Sequence, residues 1–468
     1  MENPHQAISI GGEKEEEKGA TRESSSQAVE EKDKVDEATL TIGNEEEEGT
    51  VMVTDLIKRI VNKQKQKRDK PFSIFRVPPS LAGISIKACQ PELLSIGPYH
   101  RGIGDFKERK RYFLPLLDTQ QRQFIMFGFL KFFMFKQNEK RTKECYSEAI
   151  DMPSEDFNSM MLFDASFILE LLYLESNDDP ELQMPWLKPI LMRDLLKLEN
   201  QLPFFVLRRV YNISISTRRH TNASTNQQPD SLASLFFRFL DLPFAETINV
   251  PQNYKDLQID HLLDLVHKSF TPCSPSIRQD HGNYRPSAQS IQCVTLLRSS
   301  GIKFIPNREA KSFLDIDFKR RVLKIPPITI NELTKTLFIN CIALEQCRQH
   351  GSMYFTTYVA FMSFLINSPR DVAFLCADGI ISSSSENDQY IADLFNELGK
   401  NIDFNIRTCY LSKQFREVEA YYSSYWGTFI RTYFRSPWTF ISVLSASVLL
   451  IFTATQTIVT VMGYIRQF

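Results

Sequence analysis

Residues 436–465 read SPWTFISVLSASVLLIFTATQTIVTVMGYI, thirty positions without a charged side chain, set between Arg435 and Arg466. Within them, Trp438 to Val461 is apolar or Ser/Thr at every position except Gln456. A helix of that length rises ~36 Å at 1.5 Å per residue, enough for a hydrocarbon core ~30 Å thick. Ser436 and Pro437 supply a hydroxyl N-cap and a proline at the first helical position. Trp438 and Tyr464 stand near the two ends, where aromatic rings favour the membrane–water boundary. The eight Ser/Thr of the span can bond back to their own helix, so they do not forbid insertion. A soluble core helix rarely runs this far without one charge on a wet face. The stretch predicts one transmembrane helix over 437–462, with Trp438 and Val461 at the ends of the span.

Charge gives the orientation. Lys413, Arg416, Arg431 and Arg435 precede the span and Arg466 follows it, which predicts a cytosolic body on a single-pass anchor. The N-terminus carries no apolar segment of the secretory type. The eight cysteines are scattered and form no tight disulfide framework. Asn212 and Asn222 head short glycosylation sequons that matter only if the body is luminal. The reading leaves plasma membrane and endomembrane unresolved.

Upstream, residues 1–50 hold fifteen Asp/Glu against five Lys/Arg and no aromatic residue. Such a segment cannot bury enough apolar surface to offset chain entropy, which predicts a disordered acidic tail. The whole chain carries −1, so the remainder carries +9. Part of that is the basic lead-in over 51–70, with Lys58, Arg59, Lys63, Lys65, Lys67, Arg68 and Lys70. This run is read first as a solvated helix face, then as a contact for anionic lipid. No nucleic-acid motif accompanies it, and nucleic acid is not an expected partner.

From 71 to 433 the chain reads as a globular body. Apolar residues at three- and four-residue spacing predict helices over Asp164–Leu174, Leu187–Val210, Tyr254–Phe270, Ile330–Cys347, Met353–Ile366, Tyr390–Leu398 and Gln414–Tyr433. Pro203 should kink or divide the second. Lys303–Ile305, Phe313–Phe318 and Val322–Ile325 are short and β-rich, predicting a small meander or hairpin. Polar stretches at 214–230 and 271–286 read as exposed loops where two subdomains could part. The expected fold class is α-rich α+β: a mostly helical body with a small β meander, a disordered tail and one C-terminal transmembrane helix.

Several segments together resemble a plant-specific family, domain of unknown function 247. They are Ile74-Phe75-Arg76-Val77-Pro78, the run Pro91 to His100 (PELLSIGPYH), and the run Asp194 to Phe205 (DLLKLENQLPFF). Downstream come Gly301-Ile302-Lys303-Phe304, Phe313-Leu314-Asp315-Ile316-Asp317-Phe318, Asn340 to Gln346, Leu365-Ile366-Asn367 with Asp371-Val372, and Tyr433 to Trp438. The resemblance covers about residues 71–460. One departure follows His100, where the family tends to carry Met-Glu before a lysine-led helix and this chain has Gly104 to Lys110. The resemblance implies a single-pass protein anchored at its C-terminus, with no established catalytic activity. Some grass members are associated with pollen–pistil self-incompatibility, which implies recognition or signalling in part of the family.

Four residues are weak functional candidates. His100 can titrate near neutral pH or bind metal, although a lone histidine is more often structural. Glu199 heads a polar triplet, Glu199-Asn200-Gln201, whose simpler task is to bond backbone freed near Pro203. Asp315 and Asp317 alternate with apolar residues on one strand face and could hold a divalent cation. The simpler account of that pair is a solvated strand edge. No phosphate loop, kinase signature set, His-Glu-x-x-His or Gly-x-Ser-x-Gly is present. The sequence therefore points to no catalytic residue, no metal and no cofactor. It predicts a non-enzymatic recognition, signalling or scaffold protein with the lipid bilayer and a further protein as partners. An enzyme of an unrecognised class is the alternative.

Overall fold

The computed structural model describes residues 72–102, 138–176, 185–221, 231–240, 258–271, 291–310, 312–348, 351, 353–383, 387–433 and 437–466, with backbone alone at 216–221, 433, 437, 439 and 440. All belong to one of the chain's two units, residues 72–468. The expected tail at 1–50, the basic lead-in at 51–70, residues 222–230 and 272–286 of the two polar stretches, and the departure at Gly104–Lys110 lie outside the described residues.

The described chain is helix-rich with few short strands. Its first elements are the single turns α1 (Pro79–Ala82) and α2 (Ile86–Cys89), then α3 (Glu139–Lys143) and the long α4 (Ser154–Ser176). Next come α5 (Leu187–Leu195), α6 (Phe204–Thr221), α7 (Leu232–Leu240), α8 (Leu262–Phe270) and α9 (Val294–Ser299). The predicted helix over Leu187–Val210 is thus two helices, divided by turns at 196–203 that end on Pro203, which cannot donate a helical hydrogen bond and stands just before α6. The polar stretch at 214–230 begins as helix, since α6 continues to Thr221.

Strands β1 (Lys303–Pro306), β2 (Asp317–Lys319) and β3 (Val322–Ile325) form one sheet in the order β1-β3-β2. β2 and β3 are an antiparallel hairpin, whereas β1 lies parallel to β3, with Lys303 opposite Val322 and Ile305 opposite Lys324. The expected meander is therefore a hairpin with a parallel third strand. Ten residues separate β1 from the hairpin and fifteen separate it from its parallel partner β3, enough for a crossover. The hairpin turn is Arg320-Arg321, with φ of 49° and 68°. Positive φ at both central positions is the pattern of a type I′ turn, which favours Asn-Gly. Two arginines there cost about 1 kcal/mol or more each.

β4 (Ile328–Ile330) pairs in parallel with β5 (Ile381–Ser383). Between them run α10 (Glu332–Cys347), α11 (Tyr354–Leu365) and α12 (Pro369–Ala377); α13 (Asp388–Lys400), α14 (Ser412–Tyr422), α15 (Tyr425–Tyr433) and α16 (Pro437–Ile465) complete the order. α10 is buried on all sides from Leu337 to Glu345, as expected for a helix apolar around its whole circumference. Its Asn331 cap accepts from Thr334 N–H. Around α10 pack α2, α5 and α11, while α4, α6 and α7 make a second helical layer. The predicted helix over Gln414–Tyr433 is also divided, at Ser423–Ser424, where Ser424 Oγ accepts from Gly427 N–H.

Two single helices among the described residues are long and apolar enough to cross a bilayer. In α4 the apolar stretch is 67% buried, with Phe157, Ala165 and Leu172 deep in the core. In α16 the corresponding stretch, Ile441–Ile465, is 0% buried. Its hydroxyls return to their own helix: Ser447 Oγ donates to the Val443 carbonyl, Thr453 Oγ1 to Leu449 and Thr457 Oγ1 to Thr453, each at 2.8 Å. Polar atoms bonded back in this way can tolerate an apolar solvent.

Candidate functional site

The segment 194–203 is a knot of short turns between α5 and α6, and its polar side chains reach outward to the loop 91–100. Asp194 is fully buried. Its Oδ1 accepts from Glu92 N–H at 2.9 Å, and its Oδ2 from Leu93 and Leu94 N–H, both at 2.8 Å. Lys197, also fully buried, donates to Asp194 Oδ1 at 2.8 Å and reaches Glu92 Oε1 at 3.4 Å. Asn200 accepts from Ile96 N–H at 2.6 Å and donates to the Leu94 and Asp194 carbonyls. Gln201 donates to the carbonyls of Leu195 and Lys197 and accepts from Leu263 N–H. Where α5 ends, the Asp194 carbonyl takes a long backbone bond from Lys197 N–H at 3.4 Å, and Asn200 and Gln201 complete the last carbonyls of the helix. Gly97 N–H, in the same loop, donates to Asp164 Oδ2 of α4 at 2.8 Å. Gly97 itself sits at φ +71°, and a Cβ there would stand 2.9 Å from the Gln201 carbonyl oxygen.

The structure brings His100 and Glu199 together at the edge of this knot. His100 Nε2 lies 3.0 Å from Glu199 Oε2, off the line of a good ring hydrogen bond. Glu199 Oε2 also receives Arg76 at 2.8 Å, and its Oε1 accepts from Val77 N–H at 2.8 Å. Arg76 continues to Glu148 at 3.0 Å and lies over the Tyr99 ring, 4.3 Å from its centroid. Burial pushes the Glu199 carboxyl up, but His100, Arg76 and the Val77 N–H outweigh it and hold its pKa below the usual carboxylate range. The carboxylate is ionised, paired and bonded through both oxygens. This arrangement suits a strut better than a general base, which needs a pKa near the working pH.

Asp315 and Asp317 belong to the lead-in and first residue of β2. Asp315 is exposed, and Asp317 is half-buried with Lys319 Nζ 2.8 Å from its Oδ2. Among the described residues, no group of three or more His, Cys, Asp or Glu converges as a metal site would. Cys341 is buried in α10 and Cys347 half-buried at its end, and the described cysteines are free thiols. Burial raises the Cys341 thiol well above its ordinary pKa. A cavity of about 750 Å³ opens between the start of α11 and residues 403–410, lined by Tyr354, Thr357, Arg407 and Tyr410 among others. None of the four sequence candidates lines it.

Sequence reasoning missed the acids that do the same work elsewhere. Glu345, buried in α10, accepts from Phe355 and Thr356 N–H at 2.9 and 2.8 Å and so caps α11. His267 Nε2 completes it at 2.7 Å. Asp371 accepts from Thr295, Asn367 and Ser368 N–H. Asn340 accepts from Leu198 N–H and donates to the Ala88 carbonyl. The signal available was position: Asn340 and Glu345 are short polar interruptions of an apolar run, which must be paired when buried, and Asp371 stands three residues after Ser368 at a helix start, the spacing of a capping box. If Glu199 is a strut, Glu199→Gln lowers the stability of the folded chain by about 2 kcal/mol through loss of charge-assisted bonds. Urea denaturation checks this, and an unchanged midpoint would remove the structural assignment.

Compared with known proteins, residues 74–452 match the family model described as a plant protein of unknown function. UPF0481 protein At3g47200 of Arabidopsis thaliana is 31% identical over 427 residues, covering 84% of this chain and 87% of the relative. A second UPF0481 protein of the same plant, At3g02645, is 22% identical over 472 residues, covering 82% and 89%. No solved structure matches the chain. A match across most of the chain establishes that it belongs to the plant family of domain of unknown function 247.

Proposed function

We propose that this chain is held to a membrane by α16, with its body in the cytosol, and that it works by recognition or scaffolding rather than catalysis. The observation that carries the anchoring is the Ile441–Ile465 stretch, apolar, helical and 0% buried against the body. Leu449, Leu450, Phe452 and Ile458 are all more than half exposed there. A continuous apolar surface of that size is costly in water and is the normal state of a helix in hydrocarbon. The cytosolic orientation rests on the excess of Lys and Arg before the span.

The non-catalytic part rests on how the polar residues are used. Asp194, Glu199, Asn200, Gln201, Asn340, Glu345 and Asp371 all have backbone N–H or carbonyl partners. They hold loops in register, which leaves the surface to meet another protein. The acidic segment 1–50 is the natural candidate for a basic partner.

Microsomes carrying an N-terminally tagged full chain test the reading. The tag is expected in the pellet after carbonate and to be digested by protease without detergent. Ending the chain after Tyr433 should move it to the supernatant. Release of the full chain by carbonate would sink the anchor, and a tag protected until detergent is added would reverse the orientation.

A further inference from the structure

The outer face of the three-stranded sheet is basic, and it ends beside the stem of the anchor. Lys303, Lys319 and Lys324 are exposed on that face, and Arg320 and Arg321 are exposed at the hairpin tip. Lys303 N–H donates to the Arg321 carbonyl at 2.8 Å, so the start of β1 and the tip lie at one end of the sheet. Two residues before Lys303 stands Gly301, at φ +89°, where an added Cβ would lie 3.2 Å from Ile430 Cδ1 of α15. Tyr421 of α14 donates to the neighbouring Ser300 carbonyl at 3.1 Å. One helical turn before Ile430, on the same helix face, Trp426 is 66% exposed.

Chain length limits how far α15 can stand from the span. Four residue steps join Tyr433, the end of α15, to Pro437, the start of α16. Even fully extended they span no more than ~14 Å. If α16 enters a bilayer, the end of α15 stands close to the headgroups, and the sheet end packed on α15 is carried toward the same surface. The charges there are of the sign that anionic lipids attract, and an exposed tryptophan suits the same boundary. The nearby acids are Asp317, already paired with Lys319, Asp315 before it, and Glu417 and Glu419 on α14, with Glu417 paired to Lys413 at 3.8 Å. They do not cancel five basic side chains.

We propose that the hairpin tip Lys319-Arg320-Arg321, with Lys303 and Trp426 beside it, is a docking surface for anionic phospholipid headgroups. It would hold the body flat against the membrane that α16 enters. The inference rests on the anchored reading above. It also accounts for two arginines in a turn that favours Asn-Gly: the charges are worth more at that position than an unstrained backbone.

The test uses the full chain reconstituted into phosphatidylcholine vesicles, with and without phosphatidylserine. Backbone hydrogen exchange is followed over 317–324. Exchange should slow in the anionic vesicles, and the slowing should vanish in high salt. Arg320→Asn combined with Arg321→Gly keeps and relaxes the type I′ turn while removing both charges. It is expected to weaken the protection by about fivefold for each charge lost. Equal exchange in the two bilayers, from a chain that still floats with the vesicles, overturns the docking surface and leaves the anchor standing. A chain that does not float overturns both.

Discussion

Asp194→Asn is expected to lower the stability of the body by about 4 kcal/mol, a large share of the 5–15 kcal/mol that a folded domain holds in reserve. Three backbone N–H groups converge on this carboxylate, and the ammonium of Lys197 lies 2.8 Å away with no exposure to water. An amide at that position turns an NH₂ toward donors and removes the nearer of two anionic partners of a buried cation. The loss is then the desolvation cost of groups left unmade, larger than the value of any one bond. Two denaturation curves check the size, and a companion variant checks the cause. Adding Lys197→Met to Asp194→Asn removes the poorly compensated charge and should recover part of the stability. If the double variant is no more stable than the single one, the buried cation is not the source of the penalty.

Acid should weaken the fold well before the carboxylates are protonated. His261 is fully buried; its Nδ1 accepts from Asp264 N–H at 3.2 Å, so the proton is on Nε2, 2.9 Å from the Ser73 carbonyl. Burial depresses its pKa to about 3, with Arg348 and Lys268 acting in the same direction and Asp264 and the Ser73 bond opposing. The unfolded imidazole titrates near ~6.5, so between the two values the unfolded chain binds the extra proton. The stability is complete above about pH 6.5 and falls as pH drops, by up to about 5 kcal/mol near pH 3. Below about pH 4, carboxylates held under their ordinary values, such as Glu92, Glu199 and Asp371, add to the loss. His261→Asn keeps a cap for α8 and removes the imidazole. Its urea midpoint should be lower than the parent's at about pH 8 and should converge on it by about pH 5. Parallel curves would mean that another group carries the acid sensitivity.

Much of the helical framework was legible because apolar spacing is a local property. The periodic runs at Ile330–Cys347 and Met353–Ile366 became α10 and α11 within a few residues. Lys303–Ile305 and Val322–Ile325 were legible as strands, but the parallel pairing of β1 with β3 was not, since a crossover leaves no mark in the strand it joins. Two predicted helices were each two, at Pro203 and at Ser423–Ser424, where a proline and a serine cap interrupt an otherwise continuous pattern. At the site, the polar triplet 199–201 reads plainly as backbone-bonding, and Asn200 and Gln201 do bond the end of α5. What the triplet could not name was its distant partners. Arg76 meets Glu199 across 123 residues and Ile96 meets Asn200 across 104, and such pairings exist only once the topology is known.

That topology has a consequence for the order in which the protein can assemble. The Asn340 side chain bonds the Ala88 carbonyl 252 residues before it, and His261 reaches Ser73 across 188. At a synthesis rate of about 5–20 residues per second, the stretch near Ala88 waits between about 10 and 50 s for the residue that completes it. During that interval the loop 91–100 has neither Asp194 nor Asn200 at first, and α2 lacks α10 until later still. Apolar and unpaired backbone groups stay open while the ribosome works through the middle of the chain. Folding of the body is therefore a late, long-range event, slow for its size, and production should respond more to chaperone supply and growth temperature than to changes within any one helix.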